Sequence, residues 1–314
     1  MNTVVLSQKI HDRALEMLRG KVDVVIPQAQ GQEAFEECLP EAEAVILRTN
    51  VKMTAEAIAK APKLKIICRT GAGIDNVDLD ACKARGIVLT NTPTANSISV
   101  AEHAVAMTMA LAKRLSVYDN ALRTGNWLIR SSNTSEELNG KTVGIIGLGR
   151  IGRHAAEMFR LGFGMKVIGF DPYVKQESVP EYTVTTDMQK IFRESDFISL
   201  HCPSTPETQG VVNKANLALA KPTLILVNCA RGDCMVEEDL AEALRTKRIA
   251  AAGLDVFHDE PIRPDSPLLG LPNVILTPHA AALTKEASIR MATQAAEQAL
   301  KFFAGEALDF PVKF

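Results

Sequence analysis

"TVGIIGLGRIGRHA", Thr142–Ala155, reads as a buried strand, a glycine-rich turn and the start of a helix, with Gly147, Gly149 and Gly152 in G-x-G-x-x-G spacing. Gly147 permits the tight turn, Gly149 lets backbone N–H groups approach a pyrophosphate, and Gly152 lets the helix pack closely on the strand. The helix N-terminus adds positive potential for phosphates. The spacing alone is weak, but here it follows a strand and opens a helix. The next apolar strand, "KVIGFD", ends in Asp171, 19 residues past Gly152, where a carboxylate accepts ribose hydroxyls. That negative charge would repel a 2′-phosphate, so the pattern reads as NAD rather than NADP.

A dinucleotide fold usually opens on this element, yet here it begins at residue 142. A chain of 314 residues is long enough for two domains. Before the glycine turn, "TVVLS", "VDVVIP", "AVILRT", "LKIICRT" and "GIVLTN" read as strands separated by amphipathic helices. A long helical region, Ser97 to about Arg123, then leads to a second series: "TVGIIG", "KVIGFD", "FISLHCP", "TLILVNCA", "AAGLDVF" and "NVILTPH". Six strands complete a dinucleotide-binding sheet. The final helix, "TKEASIRMATQAAEQALKFFAGE", has no strand of that sheet left to serve and is assigned to the first domain. The expectation is an α/β protein of two doubly wound parallel sheets. A Rossmann NAD-binding domain, 99–283, is inserted into a discontinuous flavodoxin-like substrate domain, 1–98 and 284–314, with the active site between them.

Composition excludes several classes. Lys plus Arg number 35 against 37 Asp plus Glu, without a basic block, so nucleic acid is not an expected partner. The start "MNTVVLSQKI" lacks a signal-peptide pattern, and Glu102 and His103 interrupt the most apolar helix, so no membrane span is expected. Six scattered cysteines without a C-x-x-C pair read as reduced thiols of a cytoplasmic protein, with no metal site. The apolar run "AVAMTMALA" within Ser97–Arg123 suggests a homodimer interface, against the alternative that the protein's own core covers it.

Three later stretches carry candidate chemistry at the carboxyl ends of strands, where doubly wound sheets bind ligands: "VNCARGD" with Arg231, "GLDVFHDEP" with Asp255 and Glu260, and "LTPHAA" with His279. An Arg can grip a substrate carboxylate in a forked pair, and a His can exchange a proton with a hydroxyl during hydride transfer. Glu260 can orient His279 and favour its imidazolium form. Arg48, ending the third strand, and Arg130, in the loop before the second series, would suit a second anionic group on the substrate.

The ordered set "GAGIDNVDLD", "NTPTANSISVAEH", "ELNGKTVGIIGLGRIGR", "VNCARGD", "GLDVFHDEP" and "TPHAA" resembles the D-isomer-specific 2-hydroxyacid dehydrogenases over nearly the whole chain. The resemblance implies an NAD-dependent oxidoreductase with Arg231, Glu260 and His279 as catalytic residues, His279 donating the proton to the carbonyl in reduction. It implies that Arg150 and Ile151 meet the pyrophosphate and Asp171 the ribose. Ala72, Cys202, Cys229, Ala230, Asp255 and Ala282 would line the rest of the cofactor, Asp255 near the carboxamide. Backbone groups of Ala72 and Gly73 would hold the substrate carboxylate with Arg231, and Asn96 would also face the substrate. Arg48 corresponds to a phosphate-binding Arg, so a 3-phosphoglycerate-like acid is expected ahead of hydroxypyruvate or glyoxylate. With the chain ending at Phe314, no regulatory extension is expected, and "AAALTKEA" after His279 departs from the family's usual Gly and small polar residue. The alternatives are an NADH-binding corepressor-like protein without turnover and a formate dehydrogenase, the latter disfavoured because its His pairs with Gln where this chain has Glu260.

Overall fold

The apolar runs of the N-terminal region become the parallel strands β1 (Thr3–Leu6), β2 (Asp23–Val25), β3 (Ala44–Leu47), β4 (Ile66–Arg69) and β5 (Val88–Thr90) in the computed structural model, which describes residues 1–132 and 134–313. The short helices between them are α1 (Asp12–Leu18), α2 (Gln32–Glu37), α3 (Ala55–Ala59) and α4 (Leu79–Ala84). The sheet order β2-β1-β3-β4-β5 is the flavodoxin-like doubly wound order. Two of these helices start on a side-chain cap: Thr54 accepts the Ala57 N–H and Asp78 accepts the Ala81 N–H.

The helical region after β5 is two helices, not one. α5 (Ser97–Ala112) and α6 (Leu115–Arg123) are broken at Arg114, which takes a left-handed φ of 53°. The second series follows as β6 (Thr142–Ile146), α7 (Arg150–Glu157), β7 (Lys166–Phe170), β8 (Thr183–Thr185), α8 (Met188–Glu194), β9 (Phe197–Leu200), α9 (Lys214–Leu217), β10 (Ile225–Asn228), α10 (Glu237–Arg245), β11 (Ala251–Leu254) and β12 (Val274–Leu276). Its order, β12-β11-β10-β9-β6-β7-β8, is the six-strand Rossmann order plus a seventh strand at one edge. Apolar runs reveal six of these seven strands, because β8 is three residues long and too short to show a period. The last helix, α11 (Lys285–Ala304), packs on α1 and β4.

The chain divides into two compact units, 1–97 with 282–314, and 98–281. Each sheet is buried on both faces, as parallel sheets are. In the first unit Val5, Val45, Leu47 and Ile67 meet Phe35 and Ile58 on one face, while Val4, Leu6, Ile46 and Ile66 meet Leu18, Ala295 and Ala299 on the other. In the second, Ile146, Ile198 and Leu226 meet Phe192 and Leu240, and Val143, Ile145 and Ile225 meet Ala101, Ala155 and Phe159. Ala104, Met107, Thr108 and Ala112 are thus buried, so the unit's own core takes part of the "AVAMTMALA" run. Among the described residues no helix is long and apolar enough to cross a membrane.

Candidate active site

At the end of β6, Gly147 has φ +96°, and a Cβ there would lie 2.7 Å from the Cys202 nitrogen. A Cβ on Gly152 would lie 1.9 Å from the Gly147 oxygen, so α7 reaches the strand end only because position 152 has no side chain. Gly149 is the N-cap of α7 and supplies no side-chain cap, which leaves first-turn N–H groups at Arg150 and Ile151 for an anion. Asp171 is fixed beside the turn: Oδ2 accepts the Leu148 N–H at 2.9 Å and Oδ1 the Tyr173 N–H at 2.9 Å. Its remaining lone pairs suit ribose hydroxyls. This side-chain-free cradle, uncapped helix start and held carboxylate fit a dinucleotide. Cys202, Cys229 and Ala230, past the ends of β9 and β10, are all buried.

The ends of β10, β11 and β12 carry the reactive groups. Asn228 is fully buried; its side chain accepts the Ala230 N–H and donates to the Arg231 carbonyl, both at 2.9 Å, which fixes the turn bearing Arg231. The Arg231 Nη1 donates to the Ala230 carbonyl at 2.7 Å. Asp255, 1% exposed, accepts from Thr277 Oγ1 (2.5 Å), Ala280 N (2.8 Å) and Ala281 N (2.9 Å). Its carbonyl accepts the His279 N–H at 2.8 Å. These bonds hold His279 at φ +50°, a left-handed conformation that costs a non-glycine residue of order 1 kcal/mol.

The strained backbone presents the His279 imidazole to Glu260, Nδ1 to Oε2 at 2.6 Å. Burial pushes the Glu260 carboxyl up, but the hydrogen bond and charge of His279, the Phe257 N–H and the charge of Arg231 outweigh it, so the group titrates below its ordinary value. An ionised Glu260 accepts only, so Nδ1 carries the proton and Nε2 is the nitrogen that can exchange one with a ligand. His201, after β9, is pushed down to about 4 by burial and pairs through Nε2 with Ser199 Oγ at 2.9 Å.

The other predicted residues lie in the first unit or on exposed chain. Arg48 is half-buried; with the Gln8 amide oriented to satisfy both groups, its oxygen accepts from Arg48 Nε and Nη1 at 2.9 and 3.0 Å. Among the described residues no carboxylate pairs with Arg48. Ala72 gives its carbonyl to Asn91 Nδ2 at 2.8 Å, while the N–H groups of Ala72 and Gly73 bond no described backbone or side-chain acceptor. Asn96 is buried with Oδ1 unpartnered, and Ala282 packs with Ala95 and Met291. Arg130 is exposed, 5.8 Å from the Trp127 ring centre, a local partner the sequence reading had not assigned it. Asn228, Thr277 and His103 were not singled out as site residues; the last meets a partner 174 positions away, a distance no local pattern encodes.

Residues 105–281 match the family model described as D-isomer specific 2-hydroxyacid dehydrogenase, NAD binding domain. The chain belongs to the D-isomer specific 2-hydroxyacid dehydrogenase family. It is 41% identical over 96% of its length to a D-3-phosphoglycerate dehydrogenase of Mycobacterium bovis, and spans 57% of that relative's length. A Thermus thermophilus structure aligns with a TM-score of 0.91 at 32% identity, covering 99% of this chain and all of that one. A D-lactate dehydrogenase from Aquifex aeolicus, solved with NAD and lactic acid, aligns at 0.87 and 33% identity over 97% of this chain and 96% of its own. The matched region is an NAD binding domain, so the cofactor is NAD(H), and the turn built on Gly147, Gly149 and Gly152 lies inside it.

Proposed function

We propose that the protein interconverts a D-2-hydroxy acid and its 2-oxo acid, with Arg231, Glu260 and His279 as the catalytic set. The nicotinamide, when bound, supplies or accepts the hydride. Arg231 grips the substrate carboxylate and polarises the carbonyl. His279 Nε2 gives its proton to the carbonyl oxygen in reduction and takes the hydroxyl proton in oxidation, while ionised Glu260 steadies the imidazolium. The observation that carries the reading is the 2.6 Å His279–Glu260 contact on a backbone turn anchored by Asp255. NADH oxidation with a panel of 2-oxo acids tests it, and no turnover with any member favours the NADH-binding protein without chemistry.

The preferred substrate in this proposal carries a second anion, as 3-phosphoglycerate does. Its support is Arg48, held by neutral groups and desolvated, so that its charge is left for a ligand. The D-3-phosphoglycerate dehydrogenase relative agrees with it. The measurement is kcat/KM for 3-phosphohydroxypyruvate against hydroxypyruvate, in the wild type and in Arg48→Ala. Preference for the unphosphorylated acid, unchanged by the substitution, makes the protein a hydroxypyruvate or glyoxylate reductase.

The homodimer and the cytoplasm complete the reading. Ile98, Leu115 and Leu122 of α5 and α6 are 48, 57 and 53% exposed, and Val105, Ala106, Met158 and Leu161 line an adjoining shallow groove. A second copy covering this face would remove that apolar surface from water. A monomeric mass in light scattering at micromolar concentration refutes it. All six cysteines are free thiols, in keeping with a reducing compartment.

A further inference from the structure

His103 lies on α5, a helix the proposed chemistry does not use. Its Nε2 is 3.1 Å from Thr277 Oγ1 and 3.7 Å from Asp255 Oδ1. The Thr277 hydroxyl has one proton, and it goes to Asp255 Oδ1 across 2.5 Å. The hydroxyl oxygen can therefore only accept from His103, which fixes the proton of His103 on Nε2. Asp255 is almost fully buried, and its carboxylate is satisfied by that hydroxyl and the N–H groups of Ala280 and Ala281.

We propose that His103 is a positioning residue for the catalytic turn. The chain of contacts runs from His103 Nε2–H to Thr277 Oγ1, to the Asp255 carboxylate, to the N–H groups that follow His279. The anchored residue is strained, with φ +50°, so its imidazole stays opposite Glu260 only while both sides of the turn are tied. His103 stiffens one tie by orienting the Thr277 hydroxyl. It touches neither Glu260 nor the proton of His279; it acts through Thr277 and Asp255 alone. The inference rests on the proposed role of His279, and its test keeps the two apart.

The test compares His103→Leu, which removes the donor at similar volume, with His103→Gln, whose amide nitrogen can donate to Thr277, and with Thr277→Val. NADH oxidation by the preferred oxo acid, NADH affinity by fluorescence titration and thermal melting are measured for each. We expect His103→Leu to lower kcat about tenfold, the value of one lost interior hydrogen bond of about 1.4 kcal/mol, with KM and NADH affinity within about twofold. His103→Gln should restore most of the loss. His103→Leu/Thr277→Val should be no slower than Thr277→Val alone, because both remove the same tie. Full kcat in His103→Leu, no rescue by Gln, or a loss confined to NADH affinity overturns the proposal. If His103→Leu does not fold, the Gln variant and Thr277→Val decide it: a Gln variant with wild-type kcat beside a slow Thr277→Val supports the chain, and a fast Thr277→Val breaks it. His279→Ala is assayed in parallel. A dead His279→Ala beside a full-rate His103→Leu removes this inference only, whereas an active His279→Ala removes the catalytic reading itself.

Discussion

Two doubly wound sheets share this chain, and their carboxyl ends were put to different uses. After β1 the first unit runs into Ser7 and Gln8, with no glycine, and its side chains are turned to local work: Ser7 Oγ accepts the Arg48 N–H at 2.9 Å and Asn76 ties the carbonyls of Arg48 and Val51. After β6 the second unit runs into Gly147-Leu148-Gly149, where side chains are absent or pushed aside and backbone N–H groups are left for a ligand. The turns after the two opening strands thus differ: the one after β1 is built of side-chain hydrogen bonds, the one after β6 of bare backbone. The ligand chemistry follows from the turn sequence, since the sheet order alone distinguishes neither.

That contrast breaks first at His279. If the second unit holds the chemistry, His279→Ala lowers kcat by about 10²-fold or more, as loss of a general acid does, measured by steady-state NADH oxidation. A rate near wild type would place the proton transfer elsewhere. Arg48→Ala should act on the first unit only: kcat/KM for the phosphorylated oxo acid falls by at least about tenfold, a charge-assisted contact being worth about 1.5–3 kcal/mol, while NADH affinity is unchanged. A change in NADH affinity would show that the two ends are not separate in function.

Asp171→Ala sharpens the contrast within the cofactor end. It removes the carboxylate that disfavours a 2′-phosphate, so the ratio of kcat/KM for NADH over NADPH should narrow by about tenfold. Equal wild-type values for the two cofactors would remove Asp171 from cofactor selection. The smallest expected effect is on stability. His201 is held neutral, pushed down to about 4 by burial, against an unfolded value of about 6.5. Its folded pKa is depressed, so below about 6.5 the unfolded chain binds more protons and stability is lost as pH falls through about 4. His201→Gln should flatten the acid side of the stability curve in urea melts by about 1–3 kcal/mol at pH 4 relative to pH 7. An identical slope in the variant would remove His201 as the cause.

Much of this was written in the sequence because its causes are local. Strands showed as apolar runs since parallel strands are buried on both faces, and the glycine turn showed because Gly147 and Gly152 sit where a Cβ meets backbone. Family membership was also legible, through ordered motifs whose residues must recur at the ends of strands.

What tertiary structure alone decided lies between residues far apart. The break at Arg114 carries no Pro or Gly to announce it, and β8 is too short to show a period. Asp255 reads from the sequence as a cofactor neighbour; only the fold shows that its carboxylate also anchors the turn that holds His279 left-handed. His103 read only as an interruption of an apolar helix, until the fold set it 3.1 Å from Thr277. A periodicity or a cap reports on contacts within a turn or a strand pair. The hydrogen bonds that aim the candidate catalytic histidine join the ends of two strands and a helix, and their partners exist only once both sheet faces are packed.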